Sequence, residues 1–509
     1  MGQKVMPKNI VVVGGGTAGW LTALYAKKQL PNDNITVIES AEIGILGAGE
    51  GSTPMLVQFL EDLGISISDL VKDCDATIKN GIKFTNWNSD NSSYYHGFYK
   101  DSVQGNAFYS HVTPSPARVG SLALNNSLKE VDFPEKVSEK NKVPIIFRAK
   151  KHKNKLLDLE PIAGVSVHFN ATKLANKLKE VALSRGIKIV EGKIKTVGLS
   201  DKNYVESLVL ENNESVQCDF VFDCSGFHRL IIGKTFNSKW KSYKEFLPVD
   251  AAIPFFTNMT DEIPPYTEAI AMKYGWMWKI PLQNRFGCGY VYDSSLISEQ
   301  EAVAEIESML GYAPTYPRKD KGGFKFDAGC YEETWVNNCV AIGLAGNFIE
   351  PLEATSIFVS MVQIGTFFNN ADHIIGSSDD LREKFNKNIL NINTIISDFI
   401  YFHYMTLRKD TEFWQKFSYE NAPEKIKEKI NTWKDRLPND LDNQDVWQSV
   451  SWLAVGSGLN LINKSIAATY IDNLAEYKDS IELYNQFLFL RDNMVELCID
   501  HKEFLEYVK

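Results

Sequence analysis

The sequence predicts an α/β fold, and three observations predict it. A short β-branched run, Ile10-Val11-Val12-Val13, leads directly into Gly14-Gly15-Gly16-Thr17-Ala18-Gly19. Two further apolar runs, Phe220-Val221-Phe222 and Val340-Ala341-Ile342, lead into glycine-containing turns much later in the chain. From about residue 380 the pattern becomes helical and rich in aromatic residues. A sheet that the chain leaves and re-enters accounts for the first two, and a mainly helical subdomain for the third.

The elements follow in order. Residues 10–13 read as a buried parallel strand, because an unbroken apolar run is covered on both faces. Trp20, Leu21, Leu24 and Tyr25 recur at helical spacing, with Lys27 and Lys28 suited to the helix C-terminus. Ile35-Thr36-Val37-Ile38 is a second strand, closed by Glu39. Strand, glycine turn, helix, strand and terminal acid is the order of a dinucleotide-binding βαβ unit. Gly14 permits the tight turn, Gly16 lets backbone amides approach a pyrophosphate, and Gly19 lets helix and strand pack closely. Glu39 is placed to accept hydrogen bonds from a ribose, and its charge disfavours a 2′-phosphate. Thr53-Pro54 predicts a capped helix start, with Leu56, Phe59, Leu60 and Leu63 on its core face. Leu174, Leu178, Val181 and Ala182 mark another helix, ended by Gly186. The basic run at 150–155 reads as a solvated hairpin tip. The expected organisation is one discontinuous nucleotide-binding domain over 1–380, carrying inserted strands, and a helical C-terminal subdomain over 381–509.

Composition excludes several classes. Hydrophobic residues make up 44% and charged residues 23%, the balance of a soluble globular protein. The formal charge of −10 repels a phosphate backbone, so no nucleic-acid partner is expected. The 29 Phe, 21 Tyr and 10 Trp supply enough apolar area for a large core, which excludes bulk disorder. Seven scattered Cys without a CxxC pair fit neither a disulfide framework nor a zinc site, and the eight His lack metal-binding spacing. We therefore expect a reducing, cytoplasmic setting and no bound metal. No apolar stretch is long enough to span a membrane. Residues 10–13 run straight into glycines, so they form no signal-peptide core, and Met6 breaks a myristoylation motif at Gly2.

Five further segments carry chemistry. They are Ile78-Lys79-Asn80-Gly81-Ile82-Lys83-Phe84-Thr85-Asn86-Trp87, Gly49-Glu50-Gly51-Ser52-Thr53-Pro54, Trp276-Met277-Trp278-Lys279-Ile280-Pro281, Phe348-Ile349-Glu350-Pro351-Leu352-Glu353-Ala354-Thr355-Ser356, and the stretch from His403-Tyr404 through Arg408-Lys409-Asp410 to Phe413-Trp414. In this order, from residue 10 to beyond 410, they resemble the flavin-dependent halogenases of the tryptophan-halogenase type. The Trp-x-Trp-x-Ile-Pro element is the most specific single part of the match.

The resemblance implies a Rossmann-like FAD-binding domain of the flavin monooxygenase type, with an inserted sheet and a helical substrate subdomain. It implies that reduced FAD and O2 convert halide to hypohalous acid, which passes along an internal tunnel to an electron-rich aromatic substrate. On this reading FAD is held by Gly14, Gly16, Thr17, Ala18, Gly19, Glu39, Gly49, Ser52, Gly343 and Pro351. Lys79 matches the catalytic lysine, which fixes the electrophilic halogen in space. Glu353 matches the catalytic glutamate, which accepts the proton released by the ring. Thr355 and Ser356 match the halide site, and Trp276 with Trp278 forms a wall on the flavin side. His96 and Phe98 lie where an aromatic platform is expected, with Trp447 or Trp452 adding a further ring. No second GxGxxG followed by a helix is present, so the implied source of reduced FAD is a separate flavin reductase, or reduced FAD diffusing freely. An indole, a phenol or another activated ring fits equally, and self-association into a homo-oligomer is left open.

One departure is informative. Where the family commonly has Ser-Thr-Gly after the glutamate, this chain has Ala354-Thr355-Ser356. A serine in place of glycine is expected to conflict with a positive φ, reshaping the anion pocket toward bromide or iodide. Two other readings share the nucleotide unit: an FAD-dependent aromatic hydroxylase and a non-catalytic flavin-binding protein. Lys79 and the Trp276–Pro281 segment count against the first, and Lys79 with Glu353 against the second.

Overall fold

The computed structural model describes residues 7–40, 49–89, 92–99, 114–149, 158–369, 379–442 and 446–509. The basic run at 150–155 lies outside them. The chain divides into two compact units. The first comprises Met1–Asp75, Phe169–Glu245 and Asp327–Thr394, and the second Ala76–His168, Phe246–Phe326 and Ile395–Lys509. This differs from the expected division at 380/381. The inserted strands pair with one another in a sheet of their own, and the C-terminal helices pack their rings against it. Neither grouping shows in local periodicity.

The first unit is built on a six-stranded sheet. Its order is Lys188–Glu191, Asn34–Glu39, Asn9–Val13, Phe220–Asp223, Cys339–Ala341, Trp335–Val336. The first five are parallel and the last is antiparallel. The late strands thus return beside the first, as the sequence predicts. Ile10 and Val12 are fully buried, and Val11 and Val13 pack with Val205, Leu208 and Val221. The helix Thr17–Gln29 buries Trp20, Leu21 and Leu24, and Tyr25 stacks on Phe59 at 5.0 Å. The helix Pro54–Asp62 buries Leu56 and Leu60 as expected, and Leu63 beyond its end is also buried. Thr53 precedes it in extended conformation but makes no side-chain capping bond, which corrects the expected cap. Pro54 at the first turn removes one donor there and presets φ for the helix.

The second unit centres on a seven-stranded sheet. Its order is Phe324–Lys325, Ala251–Asn258, Arg285–Tyr292, Gly275–Pro281, Thr267–Ala271, Gly81–Thr85, Ser93–Gly97. All its pairings are antiparallel except that between Thr267–Ala271 and Gly81–Thr85. The strand period of two separates its faces. One face sends Ile253, Phe255, Met277, Cys288 and Tyr290 into a core shared with Ala302 and Ile306 of the helix Glu299–Leu310. The register places Trp276, Trp278, Ala269, Phe84, Tyr94 and His96 together on the opposite face. Among the described residues no helix is long and apolar enough to cross a membrane.

Candidate functional site

The candidate nucleotide cradle lies wholly in the first unit. Gly14 adopts φ 120°, and a Cβ there would lie 2.2 Å from the Cys224 carbonyl oxygen. Both the conformation and the close approach require glycine. A Cβ on Gly19 would meet the Gly14 carbonyl at 1.9 Å, so this residue sets the strand–helix spacing. Gly16 is different: nothing lies within 4 Å of its Cβ position, and it precedes the helix Thr17–Gln29 without any side-chain cap. The helix N-terminus therefore presents Gly16, Thr17 and Ala18 with its first-turn amides uncapped by a side chain. Gly343, at φ 67°, comes within 2.9 Å of Ala18 by the same measure, so the late turn joins the first one. Gln363 holds that turn by accepting from the Gly343 N–H at 3.0 Å and donating to the Ala341 carbonyl at 3.2 Å.

These residues fit a dinucleotide. The open backbone at Gly16 and the uncapped helix N-terminus suit a pyrophosphate. Two features went unread in the sequence. Gly15 is needed because a Cβ there would lie 2.2 Å from Glu39 Oε2, and Glu39 is paired with Lys179. Glu39 thus closes its strand as predicted, but its charge is shared with a cation 140 residues away, a partner that spacing cannot reveal. Gly49 takes a positive φ of 84°, and Ser52 is fully buried.

Pro351–Glu353 forms a single 3₁₀ turn, followed by Ala354 in the left-handed region at φ 56° and then the helix Thr355–Phe368. Glu353 is buried. Thr355 Oγ1 and Ser356 Oγ are buried hydroxyl oxygens with no hydrogen-bond partner among the described residues, at the first turn of a 14-residue helix. An orphaned hydroxyl costs free energy in a folded protein, so a pair of them beside uncapped amides suits a bound anion. The expected conflict at Ser356 is corrected. Positive φ falls at Ala354, whereas Ser356 has ordinary helical geometry that any L-residue adopts.

In the second unit, Lys79 ends the strand Thr77–Lys79 and is 1% exposed. A lysine so deeply buried is rare and costly without partners. Its Nζ lies 5.2 Å from the centroid of the Phe98 ring, a cation–π contact that joins two residues singled out in the sequence. The strand pairs with Ser166–Phe169 through Ser166↔Lys79 and His168↔Thr77. Thr77 Oγ1 donates to the Pro281 carbonyl at 2.7 Å, so His168 Nδ1–H donates to Thr77 at 3.1 Å, and Thr267 Oγ1 donates to Nε2 at 3.0 Å. This fixes a neutral imidazole. Burial first, and then the Lys79 charge, hold its pKa well below the ordinary value.

Aromatic side chains converge on the same sheet face. The His96 ring lies 5.8 Å from Phe399, 6.0 Å from Trp447 and 6.5 Å from His403. Phe399 stacks on Trp447 at 4.4 Å, and His403 Nδ1–H donates to the Phe399 carbonyl at 2.8 Å. Of the two tryptophans weighed from sequence, Trp447 is the one whose ring reaches His96. Trp452 is fully buried behind it against Phe399, Phe402 and Trp433. Phe399 was missed, although its i,i+4 spacing to His403 on one helix face is a readable signal. Trp276 and Trp278 are buried 6.2 Å apart, and Gly289 on the next strand leaves room for the Trp278 ring. The Arg408–Asp410 motif is a staple: Arg408 forks onto Asp410 at 2.7 and 2.9 Å and faces the Trp414 ring, and Trp414 donates to the Met272 carbonyl.

The chain is similar to known proteins over almost its whole length. The tryptophan halogenase family model matches residues 9–473. The tryptophan 6-halogenase SttH of Streptomyces toxytricini is 30% identical over 522 aligned positions, which cover 96% of each chain. Its crystal structure superposes with a TM-score of 0.85 at 26% identity, covering 99% of this chain and 100% of that one. BrvH, a flavin-dependent halogenase from Brevundimonas sp. BAL3, gives 0.83 at 28% identity over 99% of both chains. With the glycine cradle, the buried lysine and the paired tryptophans all on that framework, the chain belongs to the tryptophan halogenase family and is an enzyme of the flavin-dependent halogenase type.

Proposed function

We propose that this enzyme halogenates an electron-rich, tryptophan-like aromatic ring, using hypohalous acid made from halide, O2 and reduced FAD. The observation that carries the reading is the near-complete burial of Lys79 against the Phe98 ring, in a chain of this family. Bound reduced FAD would supply two electrons, so that O2, halide and three protons give hypohalous acid and water.

The chain's own residues do the rest. The uncapped amides at Gly16, Thr17 and Ala18 hold the dinucleotide, with Gly343 shaping the cradle at Ala18 and Gly49, Ser52 and Pro351 completing it. Thr355 and Ser356 orient hydroxyls and amides toward the halide. The Lys79 ammonium hydrogen-bonds the oxidised halogen, or its amine carries it, which presents the halogen to the ring in one place. The Glu353 carboxylate accepts the proton that the ring loses. Trp276 and Trp278 keep organic substrate from the flavin. The His96, Phe98, Phe399 and Trp447 rings offer stacking surface to an indole or phenol. A separate reductase supplies FADH2, and a cytoplasmic setting suits seven buried free cysteines. Bromide and iodide are used at least as well as chloride, because both are easier to oxidise.

The test is mass spectrometry of a reaction with FAD, a flavin reductase, NADH, air and a panel of indoles, phenols and tryptophan. Chloride, bromide and iodide are supplied separately, beside Lys79→Ala. A halogen mass shift lost in the variant is the expected result. A gain of one oxygen would establish the hydroxylase instead, and bound yellow flavin without any product would mean either a substrate outside the panel or a fold that has lost its chemistry. Better turnover with chloride would overturn the halide preference.

A further inference from the structure

The strand Thr77–Lys79 has one edge paired to Ser166–Phe169. On the other edge the N–H groups of Ile78 and Asn80 point the same way, as alternate residues of a strand do. Facing them is the segment Ile263-Pro264-Pro265, whose two prolines have no N–H to give. Asn80 N–H donates directly to the Pro265 carbonyl at 2.7 Å. Ile78 N–H does not reach the segment directly. It donates to His501 Nε2 at 2.9 Å, and His501 Nδ1–H donates onward to the Ile263 carbonyl at 2.8 Å. The imidazole is therefore a rung of the ladder, in the single neutral tautomer that can accept on one side and donate on the other. It is 1% exposed.

His501 is itself held firmly. Its N–H donates to the Asn141 carbonyl at 2.9 Å, and Ile499 pairs with Val143. Asp500 caps the helix His501–Val508 by accepting from the Glu503 N–H, and that helix buries Phe504 and Leu505. This anchor lies beyond residue 473, where the family match ends.

We propose that His501 is a positioning residue for Lys79: its imidazole replaces the missing backbone bond beside Ile78 and so fixes where the ammonium meets the oxidised halogen. The C-terminal helix thereby becomes part of the support of the reactive lysine. The inference rests on the reading of Lys79 given above. A shift of about 1 Å in a reacting group costs on the order of a hundredfold in rate, so loss of one rung registers in the chemistry.

The experiment compares His501→Leu, which makes neither bond, with His501→Gln, whose amide can accept and donate. His501→Asn is added because its shorter side chain can donate to Ile263 while falling short of Ile78. Each is assayed with reductase, bromide and an aromatic substrate, and two products are counted: halogenated ring, and oxidised bromide that escapes to a β-diketone scavenger. Hydrogen exchange of a peptide spanning residues 76–80 reports the Ile78 amide. The expected result for Leu and Asn is a fall in ring halogenation of about tenfold or more with bromide oxidation retained. Escaping oxidant then rises, the Ile78 amide exchanges faster, and Gln restores both. An unchanged partition between ring and scavenger overturns the proposal, whether activity is full or both products fall together. If the Leu variant does not fold, the Asn variant decides by the same partition. Lys79→Ala is run alongside. Normal ring halogenation by that variant overturns the underlying reading, whereas its loss with an unshifted partition in the His501 variants overturns only the positioning role.

Discussion

Gly14 and Gly16 are two residues apart in one turn, yet the structure gives them opposite reasons for lacking a side chain. Gly14→Ala places a methyl 2.2 Å from the Cys224 carbonyl oxygen at φ 120°. Backbone strain of about 1–3 kcal/mol and overpacking of about 1–3 kcal/mol combine to roughly 2–6 kcal/mol of lost stability. Gly16→Ala meets nothing within 4 Å and sits at φ −83° in extended backbone. Its cost to the apoprotein stays within about 1 kcal/mol, the difference between glycine and alanine before a helix. The methyl would, however, occupy the space through which a pyrophosphate approaches the helix amides. We expect Gly16→Ala to melt within about 1 °C of the parent but bind FAD at least about tenfold more weakly, about 1.4 kcal/mol. Gly14→Ala melts on the order of 2–6 °C lower before any cofactor is added, at an unfolding entropy of about 2.1 cal/mol/K per residue. Thermal melting of apoprotein and a flavin-fluorescence titration measure the two quantities separately. Parent-like FAD affinity in Gly16→Ala would refute the placement of the pyrophosphate, and an unshifted melt in Gly14→Ala would refute the close approach to Cys224.

Three further outcomes are expected. Thr355→Val removes an orphaned buried hydroxyl while keeping its shape, so stability holds or rises by about 1 kcal/mol while the KM for bromide increases. Initial rates against bromide concentration check this, and an unchanged KM counts against a halide site there. Ala354→Gly relieves left-handed backbone at φ 56°, worth about 1–2 kcal/mol, against about 0.4–1 kcal/mol of added unfolded-state freedom. The net is a small rise in melting temperature, and a fall would contradict the geometry. Burial holds the His501 pKa down from 6.5 to about 4, so the unfolded chain takes up a proton that the folded chain refuses. This stability is fully present above pH 6.5 and is lost as pH falls through 4, by up to about 3 kcal/mol. Urea melts of parent and His501→Gln across that window should converge toward acid pH, and parallel curves would sink the assignment.

The glycine turn was legible because its residues are local. Strand, turn, helix and acid occupy residues 10–39, and each glycine acts on neighbours fixed by the turn itself. The same holds for the helix after Thr53-Pro54 and for Gly343, which closes the late strand Cys339–Ala341 beside Ala18. Sequence reading failed where a residue's role depends on distant partners. Thr53 looked like a cap and makes no capping bond, and Ser356 looked strained although the left-handed residue is Ala354. Trp452 looked like a pocket wall, yet its burial behind Phe399 leaves Trp447 to reach His96.

By itself, then, the sequence determined the α/β class, the glycine turn between the first strand and helix, and the family resemblance, because chain proximity and period-two or period-3.6 patterning suffice for those. Tertiary structure alone decided the grouping of three separate segments into each unit, the pairing of Glu39 with Lys179, and the burial of Lys79 beside Phe98. It alone brought His501 to Ile78, 423 residues earlier in the chain. The physical reason is that a buried donor or charge must find its partner wherever packing supplies one, and packing is a property of the folded chain rather than of any window of its sequence.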